Sequence, residues 1–207
     1  MKNKRYIQWI WASTLLFLGM VMLRNIQIRG NNESSATVEG ALGNAVTPNR
    51  GEYLKKITKE LVRFENEEYV VVFYQAVKDQ NEEALVMAKL KKLEENAYHT
   101  IYVTPMEIYT KDQNSLDQNI IREEELIRHA INASVHGEDI WNLNDSKGFF
   151  LRGISIEENI QNLKIENQEP TQIIPYESLG KKRYFWYYEN FESDKILRDE
   201  WKIELDE

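Results

Sequence analysis

This 207-residue sequence predicts an α/β fold with one apolar segment ahead of it. Three observations carry that class. The run Val70-Val71-Val72-Phe73 is β-branched and continuously apolar, the composition of an interior strand covered on both faces. Asp79 followed by Glu82 has the form of a capping box ahead of Leu85, Ala88 and Leu93, which share one helical face as far as about Asn96. A second β-rich run, His99 to Pro105, comes next, and two strands joined by a helix of that length imply a right-handed parallel crossover.

The remaining elements follow the same signals. Leu54, Ile57, Leu61 and Phe64 fall at helical spacing with Lys and Glu between them, predicting a first helix over about 52–65. Apolar positions from Leu116 to Ile131 predict one or two helices between Ser115 and His136. Ser155 and Glu158 repeat the capping pattern at the head of IEENIQNL. The stretch from Glu169 to Phe191 predicts an antiparallel hairpin turning at Ser178 to Lys181. In its second strand Tyr184, Trp186 and Tyr188 share one face while Phe185 and Tyr187 share the other, as in a strand packed between sheet and helix. The same run could instead form an exposed aromatic docking patch. Ser193 caps a predicted closing helix that carries Ile196, Leu197 and Trp201.

The N-terminus carries Lys2, Lys4 and Arg5 before a nearly unbroken apolar run from Tyr6 to Leu23. As a helix this run spans roughly 27 Å, enough for a transmembrane anchor with interfacial Trp and Tyr at its ends. No small-x-small cleavage site follows Leu23, so an uncleaved anchor is preferred to a signal peptide, with the N-terminus cytoplasmic and the domain outside. The expected organisation is stub and anchor over 1–29, a flexible linker over 30–51 and one domain over 52–207. The first fifty residues hold six Lys or Arg against two Glu, which leaves 20 basic and 32 acidic groups beyond them, net −12. A domain so acidic is a poor ligand for nucleic acid. Cysteine is absent, which excludes disulfides, thiolate metal ligands and dithiol chemistry.

The stretch VVVFYQAVKDQNEEALVMAKL resembles the strand, active-site turn and helix of the thioredoxin superfamily. Phe73 and Tyr74 match its paired aromatics, and Lys78-Asp79-Gln80-Asn81 stand where its two cysteines and their spacer would be. Pro170-Thr171, the turn Leu179-Gly180-Lys181 and a last helix follow in that family's order. The resemblance covers about residues 52–205 and implies a thioredoxin-like mixed central sheet flanked by helices, with a helical insertion. It also implies a cis Glu169–Pro170 bond beside the Lys78 to Asn81 turn. A peptide-binding groove would then be formed by Lys78, Asp79, Gln80, Asn81, Glu169, Pro170 and Thr171. Without cysteines the module is redox-inactive.

Other chemistry has little sequence support. His99, His129 and His136 are the only histidines, and the last two are too far apart to share an ion as i, i+4 pairs do. Glu123-Glu124-Glu125 sit in no calcium-loop pattern and read as a solvated face. Sequons occur at Asn32 and Asn132. No nucleophile elbow, Walker or dinucleotide motif occurs, and adjacent carboxylates such as Glu157 and Glu158 are expected in so acidic a chain. The expectation is therefore a membrane-anchored, non-catalytic binding or accessory module with no cofactor and no metal. It acts on a peptide or protein partner at the outer membrane surface. A sensory or structural subunit of a membrane complex is the alternative, and a carboxylate hydrolase a third.

Overall fold

The computed structural model describes residues 34–44, 57–79, 82–93, 97–110, 123–135, 148–195 and 198–205. It corrects the α/β, thioredoxin-like expectation, because the described residues are mostly β. A short helix α1 (Val38–Gly43) precedes β1 (Ile57–Glu65), β2 (Tyr69–Asp79), β3 (Glu82–Lys92) and β4 (Tyr98–Thr110), which form an antiparallel sheet in the order β1-β2-β3-β4. Helix α2 (Glu123–Val135) leads to β5 (Phe149–Ser155), β6 (Leu163–Ile165), β7 (Gln172–Ser178), β8 (Lys181–Phe191) and β9 (Ile203–Leu205). These make a second sheet ordered β5-β8-β7 and a small β6-β9 ribbon.

The helix expected after the first strand is β3. Ala84, Val86, Ala88 and Leu90 face α1, while Leu85 and Met87 face the second sheet. A strand buried on both sides reads as an unbroken apolar run, and Ala, Leu, Met, Lys and Glu are strong helix formers, so tertiary burial overrides local propensity. The KDQN segment therefore joins two neighbouring antiparallel strands. Asp79 pairs with Glu82, leaving only Gln80 and Asn81 between them.

Of the helix expected at 52–65, residues 57–65 form β1 and 52–56 lie outside the described residues. Register shifts between Ile57 and Lys59 and between Glu60 and Val62 mark bulges that break the period of two. Leu61, Val62 and Phe64 all reach the inter-sheet core as a result, and their spacing imitates a helix. Among the described residues the closing helix is also absent: Ser193 Oγ accepts the Lys195 N–H at 3.1 Å, a 3-10 turn covers Arg198–Glu200, and β9 follows. Ile196 and Leu197 lie outside the described residues.

Other expectations match. Val70–Phe73 lies within β2, an inner strand. Helix α2 falls inside the predicted helical region. The β7–β8 hairpin pairs Ser178 with Lys181, and Leu179 and Gly180 both take positive φ (48° and 73°), as a two-residue primed turn requires. Ser155 Oγ accepts the Glu157 N–H at 3.0 Å, but the turn that follows is the 3-10 segment Glu158–Asn162.

The layers run α1, first sheet, second sheet, then α2 with the β6-β9 ribbon. One core lies under α1, one between the sheets and one under α2 and Trp201. Strand β8 divides as its sequence alternates, with Tyr184, Trp186 and Tyr188 towards α2 and Phe185 and Tyr187 towards the first sheet. It crosses the first sheet diagonally. Arg183 lies over Tyr109 of β4, Phe185 lies 4.8 Å from Phe73 of β2, and Tyr187 lies 5.1 Å from Phe64 of β1. A crossed second sheet leaves corners of the first uncovered.

Helix α1 falls inside the segment that reads as a tether. Thr37 Oγ1 caps it by accepting the Gly40 N–H at 3.0 Å, and Val38, Ala41 and Leu42 are buried. The transmembrane assignment gains no support: Tyr6–Leu23 lies outside the described residues, and among those no helix is long and apolar enough to cross a membrane.

Candidate binding surface

The described residues of the groove expected from the thioredoxin resemblance do not come together. Lys78 and Asp79 end β2, and Gln80 and Asn81 lie outside the described residues. Ser178 Oγ donates to Glu83 Oε2 at 2.7 Å and the Leu179 N–H reaches the same oxygen at 3.1 Å, so the β7–β8 tip docks beside the β2–β3 turn. Pro170 and Thr171 precede the opposite end of β7, about 23 Å away at the strand rise. The Glu169–Pro170 bond is trans. Thr171 Oγ1 accepts the Glu189 N–H at 2.9 Å, while Glu169 and Pro170 line a polar concavity of about 260 Å³ with Asn162, Lys164 and Ile173.

Beside the β7–β8 tip, the inter-sheet space is polar. The Tyr109 and Tyr176 hydroxyls share a hydrogen bond of 2.7 Å, and the Arg183 guanidinium lies 3.8 Å above the Tyr109 ring. Gln75 Nε2 donates to the Glu177 carbonyl at 2.6 Å. Burial pushes both phenols above the usual tyrosine range, so neither exchanges a proton near neutral pH. These groups tie the sheets together.

Among the described residues, each of the four edges of the two larger sheets carries a feature that disfavours strand addition. Strand β1 presents Lys59, Glu60 and Arg63 and is twice bulged. On β4, the Tyr98 N–H and carbonyl turn outward to Ser35 at 2.7 and 3.0 Å. Counting past the bulge at Ile101, Pro105 also turns its nitrogen outward, where no ladder bond is lost. On β7 the hairpin register turns Pro175 and Glu177 outward, and Gln75 occupies the Glu177 carbonyl. On β5, Ser134 Oγ of α2 accepts the outward N–H of Arg152 and donates to its carbonyl, both at 3.1 Å.

Among the described residues, a corner of the first sheet's inner face is not covered by the second sheet. Tyr69, Lys89, Lys91, His99 and Tyr102 point into it, because Tyr69 pairs with Lys91, Lys91 with His99 and Lys89 with Tyr102. Lys89 is buried with Nζ 4.5 Å from the Tyr69 ring centroid, whereas Tyr102 is 39% exposed and the neighbouring bulge residue Ile101 is 49% exposed. Arg152 borders the corner from β5. Burial pushes its guanidinium down to about 10, with the Tyr102 phenol acting in the opposite sense. Glu68 lies 3.9 Å from Lys91 and Glu65 lies 3.5 Å from Lys92. This arrangement can hold a partner by aromatic and cationic contacts.

Sequence reasoning missed this corner, since it rests on β3 being a strand. The available signal was Lys89, a cation between Ala88 and Leu90 inside an apolar run. Among the described residues no cluster of three or more His, Asp and Glu could hold a metal. His99 is half-buried on β4, His129 is exposed on α2, and His136 lies outside the described residues. Neither a family model, a curated protein nor a solved structure matches the chain.

Proposed function

We propose that this chain is a non-catalytic module that binds a protein or peptide partner through side chains at the open corner of its first sheet. The observation that carries this reading is the exposure of Ile101 and Tyr102 where, among the described residues, the edges of the two larger sheets are blunted and their outer faces covered. Trp, Tyr and Arg dominate binding hot spots, and exposed apolar groups rimmed by charge are the usual signature of such a surface. Chemistry is disfavoured by the layout of the carboxylates. Among the described residues the two carboxyls that burial raises stand apart, Glu123 beside Ser155 and Glu157 on the α2 side of the second sheet and Glu107 beside Arg183 and Tyr109 between the sheets.

The location is proposed from sequence alone. The apolar stretch Tyr6–Leu23 behind three basic residues supports tethering at the outer face of a membrane, and alkaline extraction of host membranes would test it. Binding is tested by placing a photo-crosslinking amino acid at Ile101 in the native host, with a second site at the exposed Lys182 as control. A discrete adduct at 101 and none at 182 is the expected result. Equal labelling at both sites, or none at 101 in a folded chain, would remove the reading.

A further inference from the structure

The described part of the chain begins at the edge of β4. Ser35 and Tyr98 exchange two backbone hydrogen bonds, at 3.0 and 2.7 Å, as an antiparallel bridge. Such a bridge fixes a direction: residues before Ser35 point along β4 towards Thr110, while those after it cross the sheet into α1. The register with β3 turns the backbone groups of Thr100, Val103 and Ile108 towards the same edge as Tyr98, because these residues oppose alternate positions of β3 from Lys92 to Ala84. The sequence ahead of the bridge has a strand pattern. Asn25-Ile26-Gln27-Ile28-Arg29 alternates polar and β-branched residues with a period of two.

We infer that residues 26–33 of this chain dock along the edge of β4 as a further antiparallel strand of the first sheet. The bridge sets the register. Glu33 falls opposite Thr100 and, once β4's extra residue at Ile101 is absorbed, Asn31 falls opposite Val103 and Gly30 opposite Thr104. Ser35 and Tyr98 lie on the α1 face, and Ile26 and Ile28 stand an odd number of residues before Ser35. They therefore face the other way, beside Met106 and Tyr109 of the inter-sheet core. Asn32 and Gly30 come next to Tyr102, and their small size leaves the corner open. Pro105, opposite Arg29, removes a single ladder bond. The occupant is this chain and no separate strand, because the bridge already holds the segment at the edge and pairing continues at high effective concentration. The inference goes beyond the proposed function and does not depend on it. Residues 26–33 then serve as a strut, which at the strand rise sets Ile26 about 30 Å from Tyr98 and holds the corner that far from the apolar stretch Tyr6–Leu23.

The chain has no cysteine of its own, so engineered pairs report the register directly. The test uses the purified full-length chain in detergent micelles under mild oxidation. The pair Gly30→Cys with Thr104→Cys should close an intramolecular disulfide about tenfold or more faster than the slipped pair Asn31→Cys with Thr104→Cys, whose side chains would lie on opposite faces. Hydrogen exchange of the unmodified chain gives a second reading that needs no variant: amides of residues 26–33 should be protected together with those of β4. Ile28→Asp should remove protection from 26–33 and leave that of β7 and β8 unchanged. Equal closure of the two cysteine pairs would overturn the inference, as would exchange of 26–33 at the rate of an unstructured peptide. A disulfide that forms only between two chains, at a rate that falls on dilution, would replace this segment with that of a second copy.

Discussion

Ser134 of α2 completes the hydrogen bonding of Arg152 on β5 in the way a neighbouring strand would. Its oxygen accepts the Arg152 N–H at 3.1 Å and Arg152 Nη1 at 3.3 Å, and its one proton is shared between the Ala130 carbonyl at 2.8 Å and the Arg152 carbonyl at 3.1 Å. One side chain thus ends the second sheet and fixes the helix against it. Ser134→Ala would strand both backbone groups of Arg152 at a half-buried site. The expected loss is about 2 kcal/mol, read as a lower denaturation midpoint with an unchanged slope. Asn132→Ala, exposed on the same helix, should stay within about 0.5 kcal/mol of wild type. Equal stability of Ser134→Ala and wild type would show that water replaces the hydroxyl without cost.

The same helix-to-sheet contact requires Gly153. A Cβ at that position would stand 2.2 Å from Trp186 Cζ2 and 2.9 Å from the Ala130 Cβ. Trp186 is fully buried and cannot withdraw. Gly153→Ala should therefore destabilise by about 2–3 kcal/mol, despite the usual small gain from replacing glycine in a strand. Adding Trp186→Phe should recover part of this loss relative to Trp186→Phe alone, a non-additivity that a double-mutant cycle measures.

Much of the second sheet was legible in the sequence because its signals are local. The Leu179-Gly180 turn and the alternating faces of Tyr184 to Tyr188 need only neighbouring residues to be read. The first sheet was half legible. Val70–Phe73 reads as a strand because its residues are β-branched, but Leu85–Leu90 is built from helix formers, and only the presence of α1 on one side and Phe185 on the other makes it a strand. Tertiary burial of that kind leaves no local signature. The corner that forms the candidate surface was illegible for the same reason. Its residues come from β2, β3, β4 and β5, and they converge only once β3 pairs with both of its neighbours.

Alkaline pH should unfold the protein cooperatively. Burial holds the phenols of Tyr74, Tyr109, Tyr176 and Tyr188 above the usual tyrosine range. In the unfolded chain they ionise near 10, so between that pH and their folded values the native state binds more protons than the unfolded state. Stability is fully retained below about pH 10 and falls above it, by up to about 1.4 kcal/mol per pH unit for each phenol. Arg152, pushed down to about 10, works in the opposite direction, one group against four. Phenolate absorbance should therefore rise in two stages, with exposed tyrosines titrating first and the buried ones appearing together with loss of the circular dichroism signal. Smooth titration of every tyrosine in a folded protein would contradict this burial.

The shared proton of Tyr109 and Tyr176 makes an asymmetric prediction. The two hydroxyls lie 2.7 Å apart between the sheets, and Tyr109 alone has a further acceptor, Glu107 Oε2 at 3.4 Å. Tyr109→Phe leaves the Tyr176 hydroxyl buried without its partner, which should cost about 1–2 kcal/mol. Tyr176→Phe leaves the Tyr109 hydroxyl able to donate to Glu107 and should cost less. Removing both hydroxyls leaves two rings of unchanged shape and no orphaned group, so the double variant should be no less stable than Tyr109→Phe alone. Denaturant titration of the three variants measures the coupling. Simple addition of the two single losses would mean that each hydroxyl finds its own partner in solution and that the pair does not tie β4 to β7.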